Sequence, residues 1–97
     1  MMSDRKHFVY ILASKRNGTL YIGVTNNLRR RISEHWLESI HGFTQRHHVH
    51  LLVYFESFDE PGDAIAREKQ LKAGSRLRKI RVIERLNPEW RDLMPNT

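Results

Sequence analysis

The chain has 97 residues, no cysteine and a formal net charge of +6. A chain this short closes one hydrophobic core, and without cysteine it has neither disulfides nor a thiolate nucleophile or ligand. No apolar run approaches the ~18 residues that cross a bilayer, and residues 1–7 are polar, so a soluble, cytoplasmic single domain over residues 1–97 is expected, with no membrane partner.

Residues 7–14, HFVYILAS, are β-branched and aromatic, KRNG at 15–18 is a turn, and TLYIGVT at 19–25 is a second strand. Asn17-Gly18 marks a hairpin with a two-residue turn. Alternation then puts Phe8, Tyr10 and Leu12 on one face of the first strand and Tyr21 and Gly23 on one face of the second, so the tyrosines can meet. From Thr25 the period changes. Leu28, Arg31, Ile32 and His35 recur at helical spacing within residues 26–39, with Thr25 or Asn26 as N-cap, and Arg31 and His35 turn toward the sheet. Residues 40–48 read as a loop, and residues 50–58 read as a third strand.

A second helix opens at Asp59-Glu60-Pro61-Gly62-Asp63 and stops at Gly74. Ala64, Ile65, Leu71 and the stem of Lys72 bracket Glu68, so this carboxylate lies in an apolar face and requires a cation, a metal or a proton. Ser75 caps a third helix, with Ile80, Ile83 and Leu86 on one side and Arg78, Arg81 and Arg85 on another. The tail after Pro88 is expected to lay Trp90, Leu93 and Met94 on the core. The elements run β-β-α-β-α-α, an α/β (α+β) fold with a small three-stranded antiparallel sheet flanked by helices. Eight basic and two acidic residues lie between positions 67 and 85, so the whole charge excess falls there. That field suits a phosphate backbone, although it also fits a solvated helical surface.

Two tyrosines, an arginine, a histidine and an inward glutamate gathered at one sheet face suit phosphodiester hydrolysis. Arg31 offers a planar fork of donors to the charge that develops on phosphate oxygens. A divalent cation held by Glu68, Mg²⁺ or Mn²⁺, would polarise the same phosphate. A phenol with an ordinary pKa near 10 accepts a proton from water poorly unless cationic neighbours such as Arg31 lower that value.

At these residues the sequence resembles the GIY-YIG nuclease family, above all its small stand-alone bacterial members related to the N-terminal nuclease domain of the excinuclease C subunit. The matches are Val9-Tyr10, then Tyr21-Ile22-Gly23, then Arg31 ten residues after Tyr21 and His35 four later, with Glu68 in AREKQLK and Asn87 in NPEW. The resemblance implies that Tyr21 or Tyr10 activates the nucleophilic water and Arg31 contacts the scissile phosphate. It implies further that Glu68 is the metal ligand, His35 tunes a tyrosine, Gly23 permits close approach and Asn87 helps to close the site. Phe8-Val9-Tyr10 lacks the first glycine of the family's namesake triplet, and His47 stands where an aromatic residue is expected.

The reading is a metal-dependent endonuclease on DNA, structure-specific and linked to repair or recombination, with a monomer favoured. Arg30, Lys69, Lys72, Arg76, Arg78, Arg81 and Arg85 are its expected nucleic-acid contacts. Two alternatives stay open: a non-catalytic nucleic-acid binding module on the same fold, and a module whose basic helix docks an acidic protein. His41, His47, His48 and His50 have no spacing that makes a compact tetrahedral metal site.

Overall fold

Alternation along the first strand decides the architecture. The computed structural model describes residues 6–41 and 49–94, for 38–41 the backbone alone. In β1 (His7–Ala13), Val9, Ile11 and Ala13 join one buried cluster, while Tyr10 and Leu12 join another on the reverse face. β2 (Leu20–Thr25) and β3 (Leu51–Phe58) pair antiparallel with it on either side, in the order β2-β1-β3.

Helix α1 (Leu28–His41) covers the Tyr10 face through Leu28 and Ile32. Helices α2 (Pro61–Ala73) and α3 (Arg76–Leu86) cover the other face, where Ala64, Leu71 and Ile83 pack on Val9, Ile11 and Val53. This is the expected order β-β-α-β-α-α around a three-stranded antiparallel sheet. No helix among the described residues is long and apolar enough to cross a membrane.

Several local details differ from expectation. The hairpin uses all four residues of KRNG: Gly18 N–H donates to Lys15 O, and Asn17 alone takes a left-handed backbone, with φ 59°. Asn27, rather than Thr25 or Asn26, caps α1, its side-chain oxygen accepting from Arg30 N–H. The first residues of the expected 40–48 loop instead extend α1 to His41, and residues 42–48, with His47 and His48, lie outside the described residues. Ile65 and Leu86 are off the buried stripes, 44% and 70% exposed, because Ala64, Leu71 and Ile83 already fill the contact with the sheet.

The tail is more than a lid. Trp90 is buried with the α2/α3 cluster, donating its indole N–H to Glu84, whereas Met94 packs on the Tyr10 cluster. Between them Leu93 N–H donates to Leu52 O, so the chain crosses the outer edge of β3 and covers it. Leu93 docks by its backbone, which leaves its side chain 36% exposed.

Candidate active site

Tyr10 enters the site from the middle strand and is 1% exposed. Opposite it in the ladder stands Gly23. A Cβ built on Gly23 would lie 2.5 Å from the Tyr10 hydroxyl and 2.7 Å from its Cζ, so the glycine makes the space that the phenol occupies. Tyr21, on edge strand β2, stacks on Tyr10 with ring centroids 6.2 Å apart, yet stays 38% exposed. One phenol is sealed and the other faces solvent.

Helix α1 supplies the basic groups because Arg31 and His35 share its inward side, one turn apart. His35 is 2% exposed, its Nε2 lies 3.3 Å from the Tyr10 hydroxyl, and its ring meets Tyr21 edge-on at 4.7 Å. The Arg31 guanidinium donates to Glu34 at 3.0 Å and also reaches the hydroxyls of both Tyr10 and Tyr21. Burial works against its charge, but these acceptors outweigh burial and hold the guanidinium firmly protonated.

Desolvation dominates at Tyr10 and pushes its pKa from the ordinary value near 10 up to about 12, despite the opposing hydrogen bond from Arg31. Between these two values the folded chain keeps a proton that the unfolded chain has lost, so stability falls as pH rises. The expected slope is about 1.4 kcal/mol per pH unit from this group above pH ~10. Denaturant melts of wild type and Tyr10→Phe between pH 9 and 12 check it: the variant should lose that part of the decline, and parallel curves would contradict the assignment.

Glu68 comes from the other layer. On α2, Ala64 and Leu71 point at the sheet, and helical geometry places Arg67 and Glu68 on opposite flanks of that line. Arg67 donates to Glu56 on β3 at 3.1 Å, so Glu68 leans the other way, toward the β2 edge that carries Tyr21 and Gly23. Its side chain is 20% exposed and pairs with Lys72 at 3.1 Å, so the buried-charge requirement is met by a half-exposed ammonium. Such a pair contributes about 0–1 kcal/mol and yields readily to a stronger cation.

The remaining expected residues scatter. Asn87 is 5% exposed and its amide is spent on backbone: it donates to Val53 O and Arg91 O and accepts from Arg91 N–H, clamping the tail to β3. Arg76 donates to the carbonyls of Asn17 and Gly18 and pins the hairpin turn. Arg30 sits beside Glu34, Lys69 is exposed on α2, and Arg78, Arg81 and Arg85 line a cleft between α3 and β3. Among the described residues no three His, Asp or Glu side chains gather as a metal cluster. His50 instead stacks on Trp36 with centroids 3.6 Å apart, while the side chains of His41, His47 and His48 lie outside the described residues. Sequence reasoning missed the Tyr54-Glu56-Arg67 network, in which Tyr54 and Arg67 both donate to Glu56 Oε1. Nothing in local periodicity joins a strand to a helix eleven residues on.

The sequence matches the family model described as the GIY-YIG catalytic domain over residues 6–81. A UPF0213 protein of Staphylococcus haemolyticus is 38% identical over 79 residues, covering 81% of this chain and 95% of its own. A UPF0213 protein of Natronomonas pharaonis is 38% identical over 77 residues, covering 79% of this chain and 89% of its own. The solution structure of a UPF0213 protein from Bacillus halodurans superposes with a TM-score of 0.57 at 26% identity, over 90% of this chain and 92% of that one.

Proposed function

This chain belongs to the GIY-YIG nuclease family, and from that premise we propose that it is a metal-dependent endonuclease that hydrolyses DNA phosphodiester bonds at the surface shared by Tyr21, Arg31 and Glu68. The observation that carries the reading is the packed unit of Tyr10, Tyr21, His35 and Arg31, in which an exposed phenol and a guanidinium stand side by side.

Tyr21 is the group that meets water, because it is exposed and lies beside the Arg31 guanidinium. Once its own hydroxyl proton has passed to solvent, its oxygen takes the proton from the attacking water. Tyr10 stays protonated at any physiological pH and, with His35, holds Tyr21 and Arg31 in place. Arg31 stabilises the charge that grows on the non-bridging phosphate oxygens, and its pre-paid orientation by Glu34 avoids reorganisation during the reaction.

Glu68 would hold Mg²⁺ or Mn²⁺, since hard cations that keep several waters take only one or two carboxylates together with substrate phosphate. Such an ion supplies Lewis-acid polarisation of the phosphate and neutralises the leaving oxyanion. Lys72, displaced from Glu68, is free to meet the DNA backbone. Asn87 acts by fixing the tail and β3. Among the described residues the exposed arginines and lysines suit phosphate contacts rather than base readout, which accords with a role at branched or damaged DNA in repair or recombination.

Purified protein incubated with single-stranded, duplex, flap and junction DNA, with Mg²⁺, Mn²⁺ or chelator, tests the proposal. Divalent-dependent cleavage of at least one substrate is expected. Salt-sensitive binding with no turnover under either ion would instead establish the non-catalytic module.

A further inference from the structure

The cleft lined by Arg78, Arg81 and Arg85 lies on the reverse face of the sheet from Tyr10. The tyrosine unit occupies the α1 face toward edge strand β2, whereas this cleft lies in the α2/α3 layer over β3, the opposite edge. It measures about 440 Å³, with Tyr54, Glu56, Arg67, Val82 and Leu86 among its walls. A second cleft of about 240 Å³ continues it along α2 and shares Arg67, Arg78 and Val82.

Charge and spacing narrow the occupant. Five basic side chains, Arg67, Arg78, Lys79, Arg81 and Arg85, face one acid, Glu56, which Arg67 and Tyr54 already engage. Among the described residues Arg78, Lys79, Arg81 and Arg85 form no ion pair with a carboxylate, so their charge is available to a ligand. Arg78, Arg81 and Arg85 form one stripe about 10 Å long at ~1.5 Å rise per residue. A strand carries one phosphate per nucleotide, so a stripe of this length, with the reach of its arginine side chains, suits two or three consecutive phosphates. A single small anion would leave most of it unused.

We propose that this groove is a second nucleic-acid site, which holds the phosphate backbone of a strand other than the one being cut. The sheet lies between the groove and the tyrosine unit, and Glu68 leaves α2 on the flank away from Arg67, so one straight duplex strand does not reach both. The inference rests on the nuclease reading, and it makes the substrate a DNA with two separable arms, such as a flap, fork or junction.

The test is binding in chelator, where no cleavage occurs, so the absence of turnover in any assay leaves its outcome intact. A three-way junction and a linear duplex of equal length are titrated into wild type and into the triple variant Arg78→Gln, Arg81→Gln, Arg85→Gln over a range of salt. Wild type should favour the junction. The variant should lose that preference, and the slope of log affinity against log salt should shrink by about 2–3, the value for two or three lost phosphate contacts. Unchanged slope and preference overturn the proposal, as does competition by polyglutamate as effective as that by DNA. Amide shifts of wild type on adding junction DNA keep the test open should the variant misfold: movement in β3 and α3 together with α1 and β2 is expected, and movement confined to α1 and β2 overturns the second site.

Discussion

Replacing Glu68 with alanine is expected to lower the cleavage rate by roughly a hundred- to a thousandfold, the usual loss when a preorganised charge-stabilising group is removed. DNA affinity measured in chelator should stay near wild type, since an interaction made only in the transition state lowers kcat and kcat/KM together and leaves ground-state binding alone. The fold should also persist. Glu68 contributes only a half-exposed ion pair with Lys72, and the buried contacts of α2 come from Ala64 and Leu71. Single-turnover cleavage alongside equilibrium binding and a thermal melt checks all three expectations. A variant that cut as fast as wild type would remove Glu68 from the mechanism and the metal with it.

Gly23→Ala should be nearly as damaging, for a steric reason. The new methyl would press on Tyr10 at its hydroxyl, Cζ and Cε2, at 2.5, 2.7 and 3.1 Å. Tyr10 has nowhere to go, because it is buried, stacked by Tyr21 and held at its hydroxyl by His35. Overpacking of this kind costs about 1–3 kcal/mol. The displaced ring would carry Tyr21 and Arg31 with it, and a misplacement near 1 Å lowers a rate by about a hundredfold. Gly62→Ala is the control: nothing lies within 4 Å of a Cβ there, so its rate and melting temperature should match wild type or rise slightly. Equal behaviour of the two variants would show that Tyr10 does not position the site.

The hairpin, the inward residues of α1 and the order of elements were legible because each depends on a local period. Tyr10 and Tyr21 meet as alternation demands, and Arg31 and His35 face the sheet as a 3.6-residue repeat demands. Glu68 was legible as a carboxylate in need of a partner, but that its partner is Lys72 follows from side-chain geometry. Features made by distant segments were hidden. The tail's crossing of the β3 edge, the spending of the Asn87 amide on Val53 and Arg91, and the bonding of Arg76 to the hairpin turn join residues that no local pattern connects. For the same reason the basic residues looked like one patch in sequence. In space Arg76 and Lys72 serve other partners, and the stripe of α3 faces the reverse of the sheet from the tyrosines.

The central claim is that Tyr21, Arg31 and Glu68 act on a single phosphate. A crystal structure of the protein with uncleavable phosphorothioate DNA and Ca²⁺ tests it most directly. One phosphate should accept from the Arg31 guanidinium, face the Tyr21 hydroxyl, and share with Glu68 a cation at about 2.3–2.6 Å from each oxygen. A phosphate bound by Arg31 while the cation sits elsewhere, or a cation on Glu68 with no phosphate beside Tyr21, would contradict the account.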